Sequence, residues 1–194
     1  MALNLLTLKD WKNPACLPCT FCGLKLLECL DLSGCSNCDH LPENLGSLKG
    51  LKKLYLSGTT IKVLPSSIEC LMALALLTLK VCKNLVCLPN AICSLKLLQW
   101  IDISRCSNSD NFPENRGNLN GLKKLYFSGT TIKELPSSIE GLTAFTLLTL
   151  KDCKNLGCLT CTICYLKLLE SLYLSGCSNF DNLPENLGNL KGLE

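Results

Sequence analysis

A chain of 194 residues of which 47% are hydrophobic has ample material for a continuous core, which excludes a disordered segment. Its formal charge of +3, from 19 Lys and Arg against 16 Asp and Glu, is too slight and its pI of about 8.1 too low to predict a nucleic-acid surface. The longest apolar run, Cys70 to Leu77, is far too short to cross a bilayer, and the opening MALNLLTLKDW has no basic leader, so the expectation is a soluble cytoplasmic or nucleocytoplasmic protein without membrane contact.

The first element, LNLLTL from Leu3, opens a pattern that recurs to the end of the chain. LKKLYLSGTTI from Leu51 returns as LKKLYFSGTTI from Leu122, 71 residues later with one change. LPENLGSLKGL from Leu41 matches LPENLGNLKGL from Leu183, two such periods on. Within each period lies a finer spacing of 24, 24 and 23 residues that starts at Leu3, Leu27, Leu51, Leu74, Leu98, Leu122, Phe145 and Leu169. The predicted organisation is one array over 1–194, with repeats 3–26, 27–50, 51–73, 74–97, 98–121, 122–144, 145–168 and 169–192 and a ninth cut off after Leu193.

Each repeat reads L-x-x-L-x-L, with Ile or Phe in place of a Leu in some copies. This predicts a short strand in which Leu54 and Leu56 point inward and Tyr55 outward. The Leu-Pro steps at Leu17-Pro18, Leu41-Pro42, Leu64-Pro65, Leu88-Pro89 and Leu183-Pro184 are expected to turn the chain out of the strand and to stop it forming a helix. Apolar pairs such as Ile68 and Leu71 bring the return leg back over the core. One repeat cannot bury its own leucines, but stacked repeats can. The expected fold is therefore an α/β-type leucine-rich-repeat solenoid, a curved slab with short parallel strands on the concave face and irregular, 3-10 or short helical segments on the convex face. Eight strands at ~4.8 Å spacing make it roughly 35 to 40 Å long.

Sixteen cysteines are unusual for such a chain, yet no Asn-x-Ser/Thr acceptor accompanies them as a secreted protein would lead one to expect. Cys35, Cys82, Cys106, Cys153 and Cys177 stand at the ninth position of their repeats, where Thr59 and Thr130 stand in the shorter copies, and read as compact corner residues. The triplets Cys16, Cys19, Cys22 and Cys158, Cys161, Cys164 have the spacing of half a metal site. The sister repeat, however, has Cys87, Asn90 and Cys93, and a counterpart three repeats away lies ~14 Å off, beyond coordination. They remain weak metal candidates, and no metal or other cofactor is expected. His40 aligns with Asn111 and Asn182 and reads as an exposed loop residue. Carboxylates such as Asp39 and Glu43 recur with the repeat, unlike a catalytic pair confined to one cleft, and neither a phosphate-binding loop nor a nucleophile elbow occurs. No enzymatic activity is predicted.

The concave face is left as the candidate site. Its central outward row is Thr7, Asp31, Tyr55, Thr78, Asp102, Tyr126, Thr149 and Tyr173, with Lys53, Trp100 and Lys124 one step to the side. Candidate binding residues are Asp31, Lys53, Tyr55, Trp100, Asp102, Lys124, Tyr126 and Tyr173. Aromatic side chains on rigid strands lose little freedom on binding, although a tyrosine in this row can equally serve to cover its neighbours. Trp100 favours binding, since its sister positions are Cys29 and Ser171. The pairs Lys52-Lys53 and Lys123-Lys124 either meet an acidic partner or are simply solvated.

The phrases LKDCKNLGCL, LYLSGTTIKVLPSSIE and LSGCSNFDNLPENLGNLKGL resemble the repeat region of plant intracellular immune receptors of the Toll/interleukin-receptor, nucleotide-binding, leucine-rich-repeat class. The resemblance covers essentially the whole chain. It implies recognition of a pathogen effector or a guarded host protein, restraint of a nucleotide-binding module, or both, and a protein partner. The alternatives are a generic intracellular signalling scaffold or adaptor, an extracellular ectodomain, and a metal- or redox-active cysteine protein. Trp11, Pro14, Thr160 and Arg116 depart from the pattern, and Arg116 predicts a loose fifth repeat. Strand one begins three residues in and the last copy is cut short, which predicts a fragment or truncated product with exposed terminal leucines.

Overall fold

A computed structural model of the chain describes residues 3–12, 19–107, 112–113, 119–135, 137–190 and 192–193. Pro14, Cys16 and Arg116, together with the expectations placed on them, lie outside these residues. Eight three-residue strands form one parallel sheet in chain order: β1 (Leu5–Thr7), β2 (Cys29–Asp31), β3 (Lys53–Tyr55), β4 (Leu76–Thr78), β5 (Trp100–Asp102), β6 (Lys124–Tyr126), β7 (Leu147–Thr149) and β8 (Ser171–Tyr173). Such short strands are stable only as part of a stack.

The register is uniform. Leu30 pairs with Leu54, Leu54 with Leu77, Leu77 with Ile101 and Ile101 with Leu125, so the central residue of every strand joins one inward ladder. The residues on either side of it therefore form two outward rows. The first leucines of the repeats, Leu27 to Leu122, are fully buried and continue the same core, and Phe112 packs edge-on against Phe127 with ring centres 5.6 Å apart. Leu3 and Leu5 are about half exposed, at 48% and 52%, and Leu172 and Leu174 are only partly buried.

The convex side holds 3-10 turns, among them Glu43–Ser47, Ser66–Cys70, Asn90–Ser94 and Glu185–Asn189, each entered from Pro42, Pro65, Pro89 or Pro184. The expected 3-10 segments are thus present, and the prolines that turn the chain out of the strand also open them. The ring fixes φ near −65° and its missing N–H is not needed at a helix start, and both suit the entry to a 3-10 turn. Thr160 takes the same conformation, φ −67° and ψ 158°, and opens Cys161–Tyr165 without a proline.

Leaving each strand, the chain makes a tight corner. At the eighth position of all eight repeats φ is positive: Asp10, Gly34, Gly58, Val81, Arg105, Gly129, Asp152 and Gly176. Glycine takes this conformation freely, whereas Val81 at φ 64° is strained. At the ninth position the thiols of Cys35, Cys82, Cys106 and Cys177 donate across 3.0 to 3.1 Å to the carbonyls of Leu8, Leu56, Leu79 and Leu150 in the preceding repeat. Thr59 donates instead to Leu56 of its own repeat, at 2.8 Å. Burial raises the thiol of Cys82 and lifts that of Cys106 to about 12, which keeps both as donors. Trp11 occupies the same position but is 41% exposed, too large for the corner that cysteine fills.

Candidate interaction face

The two outward rows run straight across the sheet. Trp100 stands beside Leu76 and Lys124 in one, and Asp102 stands between Thr78 and Tyr126 in the other. Trp100 and Tyr126, diagonal neighbours, lie nearly flat on each other with ring centres 5.1 Å apart and planes 16° from parallel. The Lys124 ammonium is 5.2 Å from the centre of the Trp100 ring, and the Lys151 ammonium 4.6 Å from that of Tyr173. Stacking and cation–π contact of this kind hold large side chains in one arrangement before any partner arrives. The indole nitrogen of Trp100 is buried and has no hydrogen-bond partner.

Beside this stack lies an open hollow of about 390 Å³ floored by Tyr126, Thr149 and Tyr173. Lys80, Arg105 and Lys151 stand around it, with Asp102 and Asp152. Oδ1 of Asp102 accepts from the Ser104 backbone N–H at 2.9 Å, which fixes the carboxylate at the strand exit. Asp31 makes the same contact with Ser33. Burial, then the Asp102 charge, raises the Tyr126 hydroxyl, so it stays a neutral donor.

Of the eight residues predicted from the sequence, the structure gathers Trp100, Asp102, Lys124, Tyr126 and Tyr173 on β5, β6 and β8. Asp31, Lys53 and Tyr55 occupy the same rows on β2 and β3, away from the hollow. Lys52 is tied to Glu28 of the preceding repeat at 2.8 Å, which makes its pairing internal. Sequence reasoning missed Lys80, Arg105 and Lys151. The signal was a substitution: half of the repeats carry Ser and Gly at the seventh and eighth positions, as in Ser128-Gly129.

The described members of the cysteine triplets lie on the convex side, Cys19 and Cys22 in the turn Cys19–Gly23, Cys161 and Cys164 in Cys161–Tyr165. Cys158 and Cys161 are exposed, Cys164 is half-buried, Cys19 is exposed and Cys22 is buried, with its thiol raised by burial and by Cys19. Among the described residues no three His, Cys, Asp or Glu side chains stand where they could hold a metal ion. His40 is exposed and contacts the carboxylate of Asp39. Among the described residues no helix is long and apolar enough to cross a membrane.

An open all-parallel sheet in chain order, backed by 3-10 turns and presenting a rigid row of aromatic and charged side chains, defines a leucine-rich-repeat solenoid. The chain belongs to the leucine-rich repeat family: residues 2–128 match the family described as a leucine-rich repeat region, and residues 168–190 match a single leucine-rich repeat. It is 38% identical over 189 residues, 95% of its length, to a probable disease resistance protein of Arabidopsis thaliana. It is 40% identical, over 97% of its length, to TMV resistance protein N of Nicotiana glutinosa. The chain spans 10% and 17% of those two proteins. In architecture it is similar to the leucine-rich repeat domain of the type III effector XopL, with a TM-score of 0.76 and 25% identity over 96% of this chain and 73% of that one.

Proposed function

We propose that this array is a protein-interaction module of plant innate immunity that recognises a pathogen effector or guarded host protein and, within a full-length receptor, restrains a nucleotide-binding switch. It works in the cytoplasm or between cytoplasm and nucleus, binds through its concave face and performs no catalysis itself. One observation carries the reading. Trp100, Tyr126 and Lys124 form a pre-arranged anchor on rigid strands, in a chain 38–40% identical to disease resistance proteins over nearly its whole length. Recognition would shift the switch because a partner and the nucleotide-binding module compete for, or are coupled through, the same rigid slab.

The test compares proteins retained from leaf extract by the wild-type chain and by a Trp100→Ala/Tyr126→Ala variant with an unchanged far-UV spectrum. A protein retained by the first and at least tenfold depleted in the second is expected. Identical retention would overturn the concave-face reading. For the restraining role, nucleotide exchange on a nucleotide-binding module of this receptor class should slow when the chain is added, and an unchanged rate removes that half.

A further inference from the structure

We propose that the hollow beside the Trp100–Tyr126 stack takes an extended acidic segment of the partner protein, whose carboxylates are held by Lys80, Arg105 and Lys151. This rests on reading the concave face as a protein-docking surface and specifies the chemistry it selects. Three observations carry it.

Among the described residues none of the three cations is held in an ion pair. Among the described residues the ion pairs are Lys52 with Glu28 and His40 with Asp39, and neither involves the hollow. Of the two acids nearby, Asp102 accepts from the Ser104 N–H, and the Asp152 carboxylate lies against Gly176, filling the place a Cβ would take. Lys80, Arg105 and Lys151 are exposed.

Their spacing matches an extended chain. Lys80 follows β4, Arg105 follows β5 and Lys151 follows β7, and the Arg105 side chain reaches toward the sixth repeat, where its Cγ stands 3.1 Å from the place a Cβ on Gly129 would occupy. Adjacent strands lie ~4.8 Å apart, so Lys80 to Lys151 spans ~14 Å. In an extended peptide every second side chain points the same way, at intervals of ~6.6 Å. Acids at alternate positions therefore reach all three cations from one peptide face, while Tyr126 and Tyr173 support the chain between them.

The mixed charge selects a peptide over a polyphosphate. Asp102 and Asp152 repel a continuous phosphate backbone, but a peptide presents backbone N–H donors between its acids. Lys9 occupies the same repeat position as Lys80 and Lys151 but lies at the first repeat, outside the hollow, and serves as a control.

Calorimetric titration of the purified chain with acetylated Glu-Ala-Glu-Ala-Glu, its Gln-for-Glu counterpart and an oligodeoxythymidylate of matched charge tests the assignment. The glutamate peptide should bind at least tenfold more tightly than the glutamine peptide. It should weaken about tenfold in Arg105→Glu and in Lys151→Gln, be unchanged in Lys9→Glu, and weaken as salt rises from 50 to 500 mM. Lys151→Gln, a mild exposed change, keeps the test valid should Arg105→Glu disturb folding. No binding of the glutamate peptide, equal binding of the two peptides, or tighter binding of the oligonucleotide overturns the inference. Any of these, with a leaf protein still lost from Trp100→Ala/Tyr126→Ala, sinks the acidic-segment inference alone. Unchanged retention of leaf proteins by that variant sinks the docking reading beneath it.

Discussion

The Cys106 thiol donates to the Leu79 carbonyl one repeat back, across 3.0 Å, and does so in a fully buried corner that lifts its pKa to about 12. Only the protonated thiol can donate, so the folded state holds a proton that the unfolded state releases from about pH 9.0, the ordinary thiol value. Above that pH the unfolded chain binds fewer protons than the native one, and stability falls as pH rises. The stabilisation is therefore complete below about pH 8 and lost progressively from pH 9 toward 12. The Cys106 thiol contributes a slope of up to about 1.4 kcal/mol per pH unit in that window. Urea midpoints between pH 8 and 10 should decline in the wild type and decline less in Cys106→Ala. Parallel slopes would refute the role.

The same burial sorts the cysteines by reactivity. Cys19, Cys158 and Cys161 are exposed, whereas Cys82, Cys106 and Cys153 are buried and donate to backbone carbonyls. Attack on a disulfide reagent needs an accessible thiolate. Mass spectrometry after brief labelling with a thiol reagent at pH 8 should find the first three modified and the second three unmodified until denaturant is added. Early labelling of Cys106 would mean that the corner opens far more readily than its packing implies.

The concave row was legible because a strand alternates whatever turn succeeds it, so Tyr55, Asp102 and Tyr126 fall into place from L-x-x-L-x-L alone. The eighth-position corner was not legible. It is a rule about backbone φ, and half of its members, Asp10, Val81, Arg105 and Asp152, are not the glycines that would announce it. Nor was the cation cluster, for Lys80, Arg105 and Lys151 sit in three repeats at two different positions and meet only once the repeats stack. The convex 3-10 turns were half legible. A proline forbids a helix behind it and suits one ahead of it, and a Leu-Pro step read by itself signals only the first half of that rule.

The corner yields a pair of opposite outcomes. Val81 holds φ 64°, where a β-branched side chain is strained, while Gly58 holds φ 72° at no such cost. Val81→Gly should raise the urea midpoint, by an equivalent of about 1 kcal/mol, even though glycine ordinarily costs entropy. Gly58→Val should lower it by at least as much. Destabilisation by both would show that the Val81 side chain contributes more through contacts than it loses through its backbone.

Trp100→Phe separates stability from binding. The indole N–H is buried without an acceptor, a condition that costs about 1–3 kcal/mol, and phenylalanine keeps a ring on Tyr126 without that donor. The variant should melt at the same temperature as the wild type or higher, despite its smaller ring. A partner that packs on the face of the Trp100 indole should nevertheless bind the variant more weakly. A clear fall in melting temperature would mean that the stack on Tyr126 outweighs the unpaired donor.

One phrase in two places tests whether convex packing is set by local sequence or by the neighbouring repeat. LPENLG occurs at Leu41 to Gly46 and again at Leu183 to Gly188, both times forming the same 3-10 turn. At Gly46 an added Cβ would strike the Ser67 carbonyl oxygen and stand 2.8 Å from the Cβ of Cys70, because the turn Ser66–Cys70 packs directly against it. At Gly188 nothing lies within 4 Å. Gly46→Ala should therefore destabilise by about 1–3 kcal/mol as the two turns are forced apart. Gly188→Ala should be neutral or gain a few tenths, since alanine restricts the unfolded chain. Equal effects in urea melts would show that the turn itself demands glycine, and that stacking between repeats does not set the requirement.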